Sequence, residues 1–92
     1  MIIKRTASAG AVEKNDAMVT VSPGKGEDIQ IQLQSIVAHQ FGQQMIQAAR
    51  DMAQEMGVTG IEIRIEDKGA LDYVIRARTE AAILRAAKEE EV

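Results

Sequence analysis

The alternation of hydrophobic and polar residues predicts three strands in the first third of the chain. Two short strands are expected within residues 6–21, joined by a hairpin tip at residues 13–16, because asparagine and aspartate readily adopt turn conformations. Residues 28–34 alternate isoleucine or leucine with polar residues, which is the period-2 pattern of a half-buried strand. The segment between these strands contains Pro23 and two glycines, so we predict a turn there.

Residues 36–56 change to a period near 3.6 residues, which predicts an amphipathic α-helix. Its apolar stripe consists of Val37, Phe41, Met45, Ala48, Ala49, Met52 and Met56. Ser35 is the candidate N-cap, and Gly57 is the candidate C′ residue, with Val58 closing the cap. Gly42 is expected to mark a close contact, because glycine costs about 1 kcal/mol relative to alanine inside a helix.

Residues 61–78 are predicted to form a β-hairpin with one apolar face and one charged face. The first strand alternates isoleucine with charged residues, and residues 67–69 form a turn in which glycine can adopt a positive φ. The apolar positions of the two strands are Ile61, Ile63, Ile65, Leu71, Tyr73, Ile75 and Ala77. After the hairpin, residues 80–89 are predicted to form a helix, with Thr79 as N-cap and Glu80 near the positive N-terminal end.

The resulting order, β-β-β-α-β-β-α, predicts one α+β domain over residues 1–92. We expect about five short strands in a small, mainly antiparallel sheet, with two helices on one face. Residues 1–5 and 89–92 are expected to be frayed. The chain has five Met but only one Phe, one Tyr and no Trp, so the core is expected to be aliphatic.

Composition excludes several classes of site and partner. The chain has no cysteine, so disulfides, zinc–thiolate sites and thiol nucleophiles are excluded, and a reducing cytoplasm is the expected location. No apolar run approaches the length that spans a bilayer, and no signal-peptide pattern follows the first residues. The net charge is −3 and the basic residues are scattered. We therefore expect neither a membrane nor a nucleic acid as a partner.

Few side chains have the spacing of a catalytic or metal site. His39 is the only histidine, and a polar position on the first helical turn is a simpler interpretation than a base or a metal ligand. Asp67 and Asp72 flank the turn that contains Lys68. Their spacing matches no calcium loop, and turns collect aspartate for backbone reasons, so a structural or docking role is favoured over catalysis.

Three arginines near the end of the chain could form a basic edge. Arg76 and Arg78 are predicted to share a strand face, with Arg85 further on, and such a pair can bind phosphate or carboxylate. The alternative is a solvated face that is balanced by Glu62 and Glu66 across the predicted hairpin. Spacing alone slightly favours the second interpretation.

Three motifs occur in a fixed order along nearly the whole chain. They are A-G-A-V-E at residues 9–13 leading to Asp16, Q-F-G at residues 40–42, and D-K-G-A-L-D at residues 67–72, which continues through I-R-A-R to Arg85. In this order and at these distances they resemble the acyl carrier (gamma) subunits of citrate lyase. The D-K-G-A-L-D segment with its following R-A-R is the most specific part.

This resemblance implies a non-catalytic carrier subunit of a lyase complex that converts citrate to oxaloacetate and acetate. Members of the family carry 2′-(5″-phosphoribosyl)-3′-dephospho-coenzyme A on a serine through a phosphodiester, and its thiol holds an acetyl or citryl group as a thioester. The implied partners are a larger transferase (alpha) subunit, a larger lyase (beta) subunit and a prosthetic-group transferase. Tethering raises the effective concentration of the thioester at two sites in turn. The candidate docking residues are Glu13, Asp16, Asp67, Lys68, Asp72, Arg76 and Arg78.

The attachment position implied by the resemblance is Lys14, where the family has serine. A lysine amine cannot form that phosphodiester, and the nearby hydroxyls of Ser8, Thr20 and Ser22 are not at the matching position. Three explanations stay open: a substituted version of the family, a divergent carrier loaded elsewhere, or a subunit that docks without carrying a group. An unrelated binding module is a further alternative. A small enzyme is disfavoured, since no His, Cys or Ser constellation is available.

Overall fold

A computed structural model, which describes residues 1–88, shows a four-stranded sheet with two helices. The elements are β1 (Ala7–Gly10), β2 (Ala17–Pro23), β3 (Ile29–Ser35), α1 (Ala38–Glu55), β4 (Ile61–Asp67) and α2 (Asp72–Ala87). The predicted α+β class is confirmed, with four strands instead of about five. The expectation of fraying at residues 89–92, and the last position of the predicted final helix, lie outside the described residues. Neither described helix is both long and apolar enough to cross a membrane.

The strands lie in the order β1-β2-β4-β3. The pairs β1–β2 and β2–β4 are antiparallel, and β3 pairs with β4 in parallel. A parallel pair needs a long crossover connection, which α1 supplies. The sheet is therefore mixed, and the predicted antiparallel arrangement holds for two of its three strand pairs.

The hydrophobic core lies between the sheet and the two helices. The central strands contribute side chains that are fully or almost fully buried, namely Ala17, Val19, Val21, Ile61, Ile63 and Ile65. Met45 from α1 and Ile75 and Ile83 from α2 pack in the same aliphatic cluster. The opposite face of the sheet carries polar side chains such as Gln32 and Arg64, which are exposed. This one-sided burial explains the period-2 patterns in the sequence.

The prediction of a second hairpin strand at residues 71–78 is wrong, because this segment forms the first half of α2. Leu71 and Tyr73, which were assigned to a buried strand face, are 62% and 69% exposed. The buried residues of α2 are Ile75, Thr79, Ala82, Ile83 and Ala86. Their spacing of three and four residues is helical, so the segment contains two periodicities. Burial against the sheet selects the helical one.

Both predicted N-caps are also wrong. Ser35 ends β3, and α1 begins at Ala38 after Val37; the Ser35 hydroxyl instead accepts a hydrogen bond from the Val37 N–H at 3.1 Å. Thr79 is buried inside α2, where its hydroxyl donates to the Ile75 carbonyl at 2.7 Å. Glu80 therefore lies in the middle of α2, not at its N-terminal end.

The predicted C-terminal cap of α1 is confirmed. Gly57 has φ +71°, its N–H donates to the Gln54 carbonyl, and the Val58 N–H donates to the Ala53 carbonyl, both at 3.0 Å. These two bonds define a Schellman motif, and the full burial of Val58 supplies its hydrophobic contact. The cap directs the chain from α1 into β4.

Residues 1–5, which were predicted to be loose, contact the C-terminal end of α2. The backbone N–H groups of Lys4 and Arg5 donate to the Ala86 carbonyl at 3.0 and 3.2 Å. Ile3 is buried in the core cluster. The last carbonyls of a helix have no partner within the helix, so this segment satisfies one of them.

We predict that Gly10→Ala destabilises the protein much more than Gly57→Ala. Gly10 has φ +97°, and an added Cβ would collide with the Ala17 carbonyl oxygen and lie 3.0 Å from Cδ of Arg78. Gly57 also has a positive φ, but nothing lies within 4 Å of its added Cβ. The free energy of unfolding, measured by urea denaturation, should fall by about 2–4 kcal/mol for Gly10→Ala and about 1 kcal/mol for Gly57→Ala. Equal losses would contradict the steric explanation.

Candidate functional site

The β1–β2 loop, residues 11–16, lies beside the turn that follows β4. The Asn15 N–H donates to the Lys68 carbonyl at 2.9 Å, and the Lys68 N–H donates to the Asp16 carbonyl at 3.0 Å. Two loop residues thus face one turn residue, as in a β-bulge whose first residue is left-handed. Asn15 has φ +65°, a conformation that asparagine tolerates better than most residues. The loop is therefore attached to the end of the central strand pair.

An ion pair attaches the same loop to α2. Arg78 donates from Nε to Oδ1 of Asp16 at 3.0 Å and from Nη2 to Oδ2 at 2.9 Å. These hydrogen bonds lower the pKa of Asp16 below its ordinary value of 3.8; the Ala17 N–H acts in the same direction and partial burial opposes both. The same hydrogen bonds raise the pKa of Arg78. Bidentate geometry fixes the direction of both side chains.

Asp67 organises the turn itself. Its side chain is 3% exposed and accepts hydrogen bonds from the Ser35 hydroxyl at 2.7 Å and from the N–H groups of Gly69 and Ala70 at 2.9 Å. The carboxylate therefore connects the ends of β3 and β4 and shapes the chain that enters α2. This geometry gives Asp67 a structural task.

Residue 14 lies at the exposed tip of the β1–β2 loop. Glu13 and Lys14 are exposed, while the residues that follow them are held by the backbone and ion-pair contacts described above. Lys68 is exposed on the adjoining turn, and Asp72 is exposed as the first residue of α2. The structure thus brings three of the predicted docking residues, Glu13, Lys68 and Asp72, to one end of the molecule around a fixed loop.

Arg76 and Arg78 do not share a strand face with Glu62 and Glu66 across a hairpin. Both arginines belong to α2, and Arg76 forms an ion pair with Glu55 of α1 at 2.7 Å. The predicted basic edge is therefore divided: Arg76 joins the two helices and Arg78 holds the β1–β2 loop.

The remaining candidate residues either lie apart from the β1–β2 loop or bind a backbone carbonyl. Arg85 donates to the Ser8 carbonyl at 2.7 Å. His39 is exposed on the first turn of α1. Within residues 1–88 no three His, Asp or Glu side chains are grouped to hold a metal ion.

An apolar groove of about 640 Å³, which the sequence patterns did not predict, lies between the first turns of α1 and α2. Its lining includes Phe41, Met45, Ala70, Leu71 and Tyr73. Phe41 and Tyr73 are the only aromatic residues of the chain, and they are 49% and 69% exposed. Both belong to faces that the sequence patterns predict to be buried. The available signal was that the Q-F-G and D-K-G-A-L-D motifs each contain a large apolar residue, Phe41 and Leu71.

The groove begins beside the β1–β2 loop. Gly69 lines the groove, and the position that a Cβ of Gly69 would occupy is 3.7 Å from Oδ1 of Asn15. The exposed loop tip and the apolar groove therefore form one continuous surface at this end of the molecule. Aromatic residues exposed in such a position are typical of protein interfaces.

Comparisons with known proteins identify relatives along nearly the whole chain. Residues 4–86 match the malonate decarboxylase delta subunit family. The citrate lyase acyl carrier protein of Halothermothrix orenii is 49% identical over 88 residues, which cover 96% of this chain and 93% of that protein. The citrate lyase acyl carrier protein of Streptococcus mutans is 46% identical over 90 residues, covering 98% and 88%.

A solved structure has the same fold. A chain of a Pseudomonas malonate decarboxylase hetero-tetramer in complex with malonate aligns with a TM-score of 0.73 and 24% identity, covering 91% of this chain and 86% of that chain. At this level of identity the likeness concerns the fold.

Removal of the Asp67 carboxylate should destabilise the whole fold. Asp67→Ala leaves a hydroxyl and two N–H groups without their acceptor in buried or partly buried positions, and we expect a loss of about 2–4 kcal/mol in the free energy of unfolding. Asp72→Ala is the matched control at an exposed helix terminus and should cost less than about 1 kcal/mol. Chemical denaturation of both variants measures the difference. A comparable loss in the two variants would show that the Asp67 network is not structural.

The ion pair between Asp16 and Arg78 should make stability depend on pH in the acid range. Because the pKa of Asp16 is lower in the folded state, the pair stabilises the protein above the ordinary aspartate value of 3.8, and this contribution is lost as the pH falls through the folded pKa. The difference in the free energy of unfolding between the native chain and Asp16→Asn should be greatest at pH 7 and decrease below pH 3.8. In an Arg78→Gln background the same substitution should show a smaller difference at pH 7. A difference that stays constant with pH would contradict this assignment.

Proposed function

The chain belongs to the citrate lyase acyl carrier protein family, and from this membership we propose that it is the carrier subunit of a citrate-lyase-like complex. The observation that carries the proposal is the placement of residue 14, exposed at the tip of a loop that Lys68 and Arg78 hold on its C-terminal side. A covalent arm needs an attachment point that partner active sites can reach, on a base that keeps its direction. The β1–β2 loop has both properties.

The proposed cargo is an acetyl or citryl thioester on a coenzyme-A-derived group, 2′-(5″-phosphoribosyl)-3′-dephospho-coenzyme A. The proposed partners are the larger transferase and lyase subunits and a prosthetic-group transferase. In this role the chain breaks no bond itself; it raises the effective concentration of a tethered substrate at two partner sites. Family membership and the geometry of the loop support this role.

The residues of the loop do not fit the phosphodiester of that group. No side chain in residues 11–16 carries a hydroxyl, and Lys14 offers an amine at the attachment position. The nearest candidates belong to strands: Oγ of Ser8 and Oγ1 of Thr20 lie 2.8 Å apart and share a hydrogen bond, and Ser22 is also in β2. The tip is therefore shaped for presentation but lacks the chemistry of this particular linkage.

A second candidate function follows from Lys14: a subunit that docks in the complex without carrying a group. The proposed docking surface combines exposed Glu13, Lys68 and Asp72 with the apolar groove beside them. The other predicted docking residues, Asp16, Asp67, Arg76 and Arg78, are occupied by internal bonds. They would act by holding the shape of this surface.

The mass of the intact chain, expressed with the two larger subunits and the prosthetic-group transferase, separates these functions. We expect Lys14→Ser, which restores a hydroxyl at the exposed tip, to gain the mass of one coenzyme-A-derived group on residue 14. Lys14→Ala is the matched control and should gain nothing at this position. Peptide mapping of the native chain then shows whether it carries a group and on which residue.

Each result has a defined meaning. An adduct on Ser8, Thr20 or Ser22 of the native chain supports a carrier with a relocated attachment, and an adduct on Lys14 supports a carrier with a different linkage. An unmodified native chain that still co-purifies with the larger subunits, beside a modified Lys14→Ser, supports the docking module. If Lys14→Ser stays unmodified and the native chain binds no larger subunit, both proposals are wrong.

A further inference from the structure

β3 is an edge strand without the usual protection against pairing. It ends the strand order β1-β2-β4-β3, and no strand lies beyond it within the described part of the chain. Charged residues make up 27% of the sequence, yet none occurs among the seven residues of β3. Proteins normally protect a sheet edge with charges, prolines, bulges or a very short strand. An uncharged edge of this length is suited to binding another strand.

The odd-numbered residues of β3 direct their backbone groups toward the free edge. The Ile61 N–H donates to the Asp28 carbonyl at 3.2 Å, in a parallel register that sets Ile29 beside Ile61. In such a ladder the even-numbered residues of β3 bond to β4, and the odd-numbered ones point away. The guanidinium of Arg50 donates to the Ile29 carbonyl from outside the ladder, at 3.1 Å, which agrees with this direction.

The other sheet edge is protected in a way that most of β3 is not. β1 has only four residues, and Arg85 occupies its Ser8 carbonyl at 2.7 Å. On β3 the corresponding contact, from Arg50, covers only the first residue, Ile29. The backbone groups of Ile31 and Leu33 form the free part of this edge. They can accept a neighbouring strand without displacing Arg50.

We propose that β3 pairs in antiparallel fashion with β3 of a second copy, around a two-fold axis that passes beside Gln32. This register places Ile31 opposite Leu33 of the other copy, leaves the Ile29 carbonyl to Arg50, and joins the two sheets. Gln30, Gln32 and Gln34 are exposed on the open face, and an amide side chain both donates and accepts. The strand is therefore complementary to itself, as a two-fold interface requires.

The charge distribution also favours a second copy of the chain as the partner of the β3 edge. Each chain has a net charge of −3, but the strand that would lie at the axis is neutral, so no like charges meet there. Ile29, Ile31 and Leu33 are only half-buried on the helix side and would lose further contact with water in the dimer. One strand pair buries less than the roughly 1,200–2,000 Å² of a standard interface, so we expect a dissociation constant of roughly 10–100 µM.

Sedimentation velocity of the full chain, from about 5 µM to about 1 mM, tests the proposal against this affinity. The native chain should shift from monomer to dimer over this range. Gln32→Lys and Gln32→Glu should each weaken association at least about tenfold, because like charges then face each other at the axis. An equimolar mixture of the two variants should restore association, because lysine then faces glutamate.

Matched controls separate this effect from changes in net charge or folding. Ala77→Lys and Ala77→Glu make the same charge changes at an exposed position of α2, which packs on β1 and β2 instead of β3. Both should associate like the native chain. Circular dichroism checks that each variant is folded.

Amide hydrogen exchange gives a second and more local measurement. The N–H groups of Ile31 and Leu33 face the free edge and should become protected as the concentration rises. Those of Gln30 and Gln32 bond to β4 and should be protected at every concentration.

A native chain that stays monomeric to about 1 mM would overturn the proposal. A mixture of Gln32→Lys and Gln32→Glu that does not restore association would also overturn it. The same holds for a β3 edge that binds only the strand of a different protein. None of these outcomes depends on whether the chain carries an acyl group.

Discussion

The burial of β4 is the constraint on which the rest of the structure depends. Ile61, Ile63 and Ile65 are essentially inaccessible to water, and the strand pairs with β2 on one side and with β3 on the other. Removal of this much aliphatic surface from water is the main stabilising contribution available to a chain with so few aromatic residues. The end of the same strand supplies Asp67, whose carboxylate shapes the turn into α2. The sheet, the turn that follows β4 and the start of α2 therefore all depend on this strand.

The β1–β2 loop shows how a small domain can fix the base of a loop and leave its tip exposed. The backbone exchange with Lys68 and the bidentate bond from Arg78 come from two different elements. Together they hold the segment after residue 14 against both the sheet and α2. This arrangement suits a carrier and a docking module equally well. The side chain at position 14, and not the fold around it, distinguishes the two.

Local signals predicted the parts of the fold that local interactions determine. The pattern of residues 28–34 predicted β3, and Gly57 with Val58 predicted the end of α1, because alternation and capping depend on neighbouring residues. The segment from Leu71 to Arg78 could not be assigned in this way, since its apolar residues fit two periods. Tertiary packing distinguishes them, because Ile75 is buried whereas Leu71 and Tyr73, which share the predicted strand face with it, are exposed. The Lys14 tip was likewise located from the sequence, but the Asp16–Arg78 contact joins residues 62 positions apart and requires α2 to be a helix.

The strand order has a consequence for the way this chain emerges from the ribosome. β2 is made early, but its partner on the inner side is β4, which follows β3 and α1 in the sequence. Until residue 67 has been synthesised, Val19 and Val21 lack the strand that later lies beside them. Long-range pairing of this kind slows folding and leaves apolar surface exposed during synthesis. The nascent chain therefore cannot complete its sheet until β4, the last strand in the sequence, has left the exit tunnel.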